Sequence, residues 1–316
     1  MDKKTVVVVV GPTASGKSKL AIDICKYLNG EVISADSMQI YKKMNIGTAK
    51  ATLEEQQGIR HHLLDIVNPD ENYSLESFLK DCENAVDDVI SRGKLPVIAG
   101  GTGLYISSFV NGLQLTEAKV DENYRVFLET MAETFGNLTL KQLLFQVDKE
   151  SFDKLKLNDR KRIIRALEVY RTTGKTITQI NKDSSSSAKY NFIIFGLNST
   201  NREFLYERIN KRVDEMIYAG LIEEARALHK ENLSMTALQA IGYKELFSYF
   251  NGYCTIEEAV EEIKKSSRNY AKRQITWFKK YKNISWQMID EKNYEEILNF
   301  TINGIVKNTN ICYNKE

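Results

Sequence analysis

Five consecutive valines, Val6 to Val10, run straight into Gly11-Pro12-Thr13-Ala14-Ser15-Gly16-Lys17-Ser18. So short and so β-branched a run reads as a parallel strand covered on both faces, not as a helix. The eight residues behind it fit G-x-x-x-x-G-K-S/T, and Leu20, Ala21, Ile24 and Leu28 then recur at helical spacing. Strand, glycine loop and helix in that order form the context in which this spacing binds phosphate. Gly11 and Gly16 let the backbone curl until successive N–H groups converge on one point. The helix N-terminus adds its partial positive charge there. Lys17 reaches phosphate oxygens, and the Ser18 hydroxyl offers a ligand to magnesium. Kinases, ATPases, GTPases and some transferases share such loops, so the loop constrains the fold more tightly than the reaction.

The first hundred residues continue as α/β. A strand is predicted over Glu31 to Ala35, ending at Asp36, and a helix from about Leu75, capped by Ser74, to Arg92 with Gly93 as its stop. A third strand, Leu95 to Ala99, leads into Gly100-Gly101-Thr102-Gly103. Strands alternating with helices imply a parallel sheet with its ligand site at the carboxyl ends of the strands. The phosphate loop, Asp36 and the Gly100–Gly103 turn should therefore meet in space. From about Glu117 to Lys189 the pattern is helical and charged, with Asn158 as expected N-cap for a helix over Asp159 to Thr173 and Ser184 to Ser187 as a linker. Phe192 to Leu197 reads as a strand returning to the sheet. Ser199 or Thr200 is expected to cap a helix from about Glu203 to Tyr218. Thr255 and Glu258 form a capping box for a helix reaching about Lys282, which at ~1.5 Å per residue spans roughly 40 Å. The expectation is three segments: a phosphate-loop α/β core over 1–116, a helical insertion over 117–189, and a return strand with a helical C-terminal part over 190–316.

A chain of 316 residues, 42% hydrophobic, can bury a full core and more than one domain. With a net charge of only +2, any nucleic-acid surface is a local patch. No apolar run approaches membrane-spanning length. Met1-Asp2-Lys3-Lys4 leaves no room for a signal peptide before the first strand. Cys25, Cys82, Cys254 and Cys312 form no C-x-x-C pair, as expected of thiols in a reducing compartment. A cytoplasmic monomer with no membrane partner is the expectation.

Asp36, in Ser34-Ala35-Asp36-Ser37-Met38-Gln39-Ile40-Tyr41, is the candidate base, since a carboxylate facing the phosphate loop can take a proton from a nucleophile or hold magnesium through water. An aspartate that only caps a turn is the plainer reading. Ser37 and Gln39 favour chemistry, because glutamine can pair with an adenine edge. The third strand ends in glycines and Thr102, not in the aspartate of an ordinary ATPase. Adjacent His61 and His62 lack a third partner and read as structural. In the C-terminal helix, Lys264, Lys265, Arg268, Lys272, Arg273, Lys279, Lys280 and Lys282 are interleaved with Tyr270, Trp277, Phe278 and Tyr281. That pattern is either a solvated face or a grip on a phosphate backbone.

Several runs together resemble one family in order: the phosphate loop, Ala35 to Tyr41, Asn45 to Lys50 (N-I-G-T-A-K), His61 to Asp65, and Gly100 to Tyr105. Arg162 to Glu168 (R-I-I-R-A-L-E), Ala240 to Glu245 (A-I-G-Y-K-E) and Ala271 to Phe278 (A-K-R-Q-I-T-W-F) complete the set. The chain resembles the bacterial tRNA dimethylallyltransferases (tRNA isopentenyltransferases) over residues 5 to about 290. The resemblance implies transfer of a dimethylallyl group from its diphosphate to N6 of the adenine 3′-adjacent to the anticodon. The partners are then tRNA and dimethylallyl diphosphate, with Mg2+ as cofactor held at Ser18. It implies catalytic roles for Asp36, Lys17 and Thr102, and places Arg212 with the loop Gly11 to Ser18 on the diphosphate. Contact with tRNA is implied for Asp36, Ser37, Met38, Gln39, Thr102, Arg125, Lys161, Arg162, Ile163, Ile164 and Arg165. The same holds for Gln239, Ala240, Ile241, Gly242, Tyr243 and Lys244, and Lys272 and Arg273 join them from the basic helix. One departure is Arg160, where the family usually has proline; its charge opposes the helix dipole but suits a helix start facing RNA.

A small-molecule or nucleoside kinase would use the same loop and aspartate, yet leaves the insertion and basic helix unexplained. Free-nucleotide prenyltransferases would not need Ala271 to Phe278. A nucleotide-switched RNA-binding protein lacks a guanine-reading N-K-x-D.

Overall fold

The computed structural model describes residues 3–113, 121–183 and 189–309. The chain divides into two compact units, one made of residues up to Phe109 and from Lys189 onward, the other of Val110–Ala188. The first begins with β1 (Thr5–Val10), the glycine loop and α1 (Lys17–Tyr27). Next come β2 (Gly30–Ser34), α2 (Leu53–Gln56), β3 (His61–His62), α3 (Leu75–Ser91), β4 (Leu95–Gly100) and α4 (Gly103–Val110). The second unit holds α5 (Glu122–Phe135), α6 (Asn137–Val147), α7 (Lys149–Lys154), α8 (Arg160–Thr173) and α9 (Ile177–Asp183). The chain returns through β5 (Asn191–Asn198), α10 (Arg202–Tyr218), α11 (Leu221–Leu228), α12 (Tyr243–Phe250) and α13 (Ile256–Phe278). It closes with β6 (Ile284–Met288) and α14 (Tyr294–Lys307).

The strands form one parallel sheet in the order β3-β2-β4-β1-β5-β6. Val7 and Val9 pack with Leu20 and Ile24 of α1 and with Ile297, Ile302 and Ile305 of α14. Strand alternation sends Val6, Val8 and Val10 to the other face, and all five are fully buried. Covering on both faces is what the five-valine run implied. Val10 pairs with Gly100 and Ser34 with Ala99, so β1, β4 and β2 end side by side. That register brings the phosphate loop, the Asp36 loop and the Gly100–Gly103 turn together, as expected.

Local details differ from expectation for identifiable reasons. The first cap of α8 is Asp159, not Asn158, and its side chain accepts from Lys156 N (2.9 Å). Asn201 caps α10 instead of Ser199 or Thr200, because the Thr200 hydroxyl is already donated to Asp290 (2.7 Å). The capping box of α13 forms as expected, but the helix stops at Phe278, because the chain must turn into β6. The sequence reading missed both β6 and α14, although Asn293 and Glu296 form a capping box that starts α14. Within the second unit, Leu128, Leu140, Leu144, Ile163, Ile164 and Leu167 form a core of their own. The Ser184–Ser187 linker, the boundary at residue 117 and Cys312 lie outside the described residues. No helix among the described residues is long and apolar enough to cross a membrane.

His61 and His62 have structural partners. His62 Nε2 lies 2.7 Å from the buried Glu31 carboxylate, which also takes Arg92 as a fork and Lys94 (2.8 Å). The Arg92 hydrogen bonds hold Glu31 far below the usual carboxylate range, and the neighbouring lysine and histidine add to the effect. His61 shares a hydrogen bond with the Ile59 carbonyl, and burial lowers its pKa.

Candidate functional site

The phosphate loop is assembled as its sequence requires. Gly16 adopts φ 93°, a left-handed conformation that opens α1 and that side-chain-bearing residues avoid. Lys17 Nζ donates to Pro12 O (2.9 Å), Arg208 Nε to Ala14 O (2.9 Å), and Arg212 Nη1 to Thr13 Oγ1 (3.3 Å). The Ser15 hydroxyl is buried with no hydrogen-bond partner among the described residues, while Ser18 is exposed at the first turn of α1. Burial first, then the adjacent Arg212 charge, pulls the Lys17 ammonium down to about 8, with Asp36 opposing. Burial likewise lowers Arg212. Two desolvated cations and an unpaired hydroxyl around one loop make a cradle that an anion would satisfy.

Beside it, Asp36 Oδ1 accepts from Met38 N (2.9 Å), so the turn-capping reading is correct as far as that oxygen goes. Ser37 N donates to Thr102 Oγ1 (3.0 Å), and Thr102 N to Ala35 O (3.3 Å), tying the Asp36 loop to the end of β4. Gln39 does not match the adenine-edge expectation. Its Nε2 donates to Thr48 O (3.1 Å) and Ala49 O (3.3 Å), and its Oε1 accepts from Ser34 (3.3 Å), which uses the amide to brace its own loop. The Asn45–Lys50 motif is bracing too. Glu224 accepts from the backbone N–H groups of Asn45, Ile46 and Gly47 and from Tyr243 OH (2.6 Å). Buried Lys50 donates to Tyr41 O (2.7 Å), Asn45 Oδ1 (2.9 Å) and Asp65 (2.5 Å).

A cavity of about 360 Å³ is lined by Thr13, Asp36, Ser37, Met38 and Arg212, by Gln239 to Gly242 and Lys244, and by Tyr270 and Arg273. Ile209, Val213, Met216 and Ile263 give it an apolar side. Arg212 and Met216 also line a second cavity of about 750 Å³, which contains Lys17 and Ser18. Arg212 thus stands between the cradle and the space beside Asp36. Tyr270 is pushed up to about 12 by burial first and then by Asp36, and the Arg273 guanidinium lies 5.6 Å from its ring centroid.

Other expected contacts fall elsewhere. Tyr243 has no exposed surface and packs against Gly47, so it is a core residue and offers nothing to a ligand. Ile163 and Ile164 are likewise core residues of the second unit. Only the polar members of that stretch face solvent: Lys161 and Arg162 are exposed and Arg165 partly so. Arg125 forks onto the buried Glu168 (Nε 2.6 Å, Nη2 3.0 Å), with Arg165 3.7 Å away. Arg160 does not stand free at its helix start. It donates to Glu129 O (2.6 Å) and pairs with Glu133 (3.2 Å) on α5, which neutralises the charge opposing the dipole. Lys272 and Arg273 are exposed on α13.

The residue that sequence reasoning missed is Gln274. It is 4% exposed, accepts from Thr13 N (2.8 Å) and donates to Gly101 O (3.0 Å). A Cβ at Gly101 would collide with its amide nitrogen, and one at Gly103 would lie 2.5 Å from Trp277. The glycines after β4 therefore exist to let α13 close on the site. Gln274 lies inside the Ala271–Phe278 run that the resemblance singles out, but nothing in that run marks which of its residues the site uses until tertiary placement does.

A family model described as IPP transferase matches residues 39–281, which reach across both units. A tRNA dimethylallyltransferase of Caldanaerobacter subterraneus is 51% identical over 297 residues, covering 92% of this chain and 94% of the relative. One from Acetivibrio thermocellus is 47% identical over 294 residues with the same coverage. Among solved structures, the tRNA isopentenylpyrophosphate transferase of Bacillus halodurans superposes with a TM-score of 0.72 at 39% identity, over 97% of this chain and 96% of that one. A eukaryotic dimethylallyltransferase acting on tRNA reaches a TM-score of 0.83 at 29% identity, over 99% of this chain and 81% of its own. Agreement of that breadth, in sequence and in overall fold alike, makes this chain a member of the IPP transferase family.

Proposed function

We propose that the chain transfers a dimethylallyl group from dimethylallyl diphosphate to N6 of the adenine 3′-adjacent to the anticodon in tRNA, releasing diphosphate. The observation that carries this reading is the placement of Arg212 and Lys17 around an anion cradle that adjoins a partly apolar cavity walled by Asp36. In the reaction the allylic C–O bond breaks and its electron pair leaves with the diphosphate. Loop amides, Lys17 and Arg212 spread the developing charge. The allylic carbon becomes cation-like, and Met38, Val213 and Met216 give that side of the cavity an apolar wall. Adenine N6 is a poor nucleophile, so Asp36 takes its proton as the N–C bond forms. The adenine must leave its stack to reach Asp36.

The described residues include no group of three acidic, histidine or cysteine side chains able to hold a metal. The Ser18 hydroxyl suits magnesium, which binds through few protein ligands and completes its shell with phosphate oxygens and water. When bound, it would supply further neutralisation of the leaving diphosphate. Exposed Lys161, Arg162, Lys272 and Arg273 would contact the tRNA backbone. Asp36, Lys17 and Arg212 come from one chain, so a monomer suffices. Labelled dimethylallyl diphosphate incubated with unmodified tRNA should place label in RNA. Label transferred only from the γ position of ATP to a small hydroxyl compound would instead make the protein a kinase.

A further inference from the structure

Gln274 sits where three pieces of the site meet. Its carbonyl oxygen holds Thr13 N of the phosphate loop, and its amide holds Gly101 O at the end of β4. One residue further, Thr102 accepts from Ser37 N and donates its own N–H to Ala35 O, so Gly101 is rigidly tied to the loop that carries Asp36. On the other side, Thr13 accepts from Arg212. The path Arg212–Thr13–Gln274–Gly101–Thr102–Ser37 thus runs from the leaving-group cradle to the base through four hydrogen bonds of 2.8–3.3 Å and the Gly101–Thr102 peptide bond. A side-chain amide offers a donor nitrogen and an acceptor oxygen from one buried, uncharged group, so it can hold both partners at once. The Cβ position of Gly101 is filled by that amide, so backbone and side chain are shaped to each other.

We propose that Gln274 is a positioning residue that fixes the separation between the diphosphate cradle and Asp36, acting on the chemical step without touching either substrate. It rests on the prenyl-transfer reading above. A displacement of about 1 Å at reacting groups can cost on the order of 10²-fold in rate, so the effect belongs in kcat.

The test uses the full-length chain with tRNA and dimethylallyl diphosphate. Gln274→Met keeps the volume and removes the hydrogen bonds to Thr13 N and Gly101 O together with the one to Tyr270. It should lower kcat by roughly 10²-fold, with KM for both substrates and the affinity for inorganic pyrophosphate within about threefold of the parent protein. Gln274→Glu keeps the acceptor for Thr13 N but faces Gly101 O with a carboxylate. Tyr270, which also bonds to Gln274, is held protonated over this range by burial. Protonation of the introduced carboxyl therefore restores the donor, and kcat relative to the parent should climb at least about tenfold between pH 8.5 and pH 6. This conditional rescue is something a merely structural residue would not show. Near-parental kcat in Gln274→Met overturns the proposal, as does a kcat loss matched by equal loss of pyrophosphate affinity. A pH-independent ratio in Gln274→Glu also overturns it, and that variant decides alone if the methionine variant fails to fold. Absence of RNA prenylation by the parent protein overturns the functional reading, and this proposal with it, whereas parental turnover with unchanged variants removes the proposal only.

Discussion

Asp36 commits one carboxylate oxygen to capping its own turn, through Met38 N, and still lines the cavity beside the cradle. Asn at that position would keep the cap and lose the base. Asp36→Asn should therefore retain the parent melting temperature and pyrophosphate affinity while lowering kcat by about 10²–10⁴-fold; turnover near the parent level would show that another group takes the N6 proton. Lys17 supplies a second residue-scale expectation. It grips the diphosphate in its protonated form, and burial with Arg212 has brought its pKa down to about 8. The terminal phosphate of the ligand is already fully ionised above pH ~7. Affinity for dimethylallyl diphosphate should accordingly be highest near pH 7 and fall as pH rises through 8, approaching tenfold per pH unit beyond it. Calorimetric titrations giving the same Kd at pH 7 and pH 9 would contradict this.

Among elements, α13 has two faces with separate tasks. Gln274 and Trp277 press onto the glycine turn after β4, while Lys272 and Arg273, the two residues just before Gln274, remain exposed. The helix forms where expected because Thr255 and Glu258 satisfy its first amides and its charge order suits the dipole. Lys272→Ala combined with Arg273→Ala should weaken tRNA binding and flatten its salt dependence by roughly 0.7–0.9 in log–log slope for each phosphate no longer neutralised. An unaltered slope would return these charges to simple solvation. The second unit shows the opposite arrangement in α8: Ile163 and Ile164, inside a motif that resemblance connects with RNA, are wholly committed to the core. A motif marks a segment, and burial decides which of its residues remain available.

At the scale of the whole molecule, β6 and α14 finish a sheet that begins at the other end of the chain. Ile297, Ile302 and Ile305 of α14 are buried against α1 and β1. At about 2 kcal/mol per buried isoleucine, their removal alone rivals the ~5–15 kcal/mol stability of a typical domain. A chain ending at residue 282 should lose cooperative thermal unfolding and partition to the insoluble fraction; a soluble, cooperatively melting product would show that the sheet closes without them. The division of knowledge follows from the range of the forces involved. Features governed by neighbours in the chain were legible beforehand: the buried valine strand, the glycine loop, the caps at Ser74 and Thr255, and the convergence of strand ends that any parallel sheet enforces. What only the tertiary structure decided was which polar groups face one another, most of them across long sequence separations. Gln274 meets Thr13, Glu224 meets the amides of Asn45 to Gly47, and Gln39 turns to its own loop instead of outward. Hydrogen bonds are directional and act over about 3 Å, so no local pattern announces them until packing has brought the partners together.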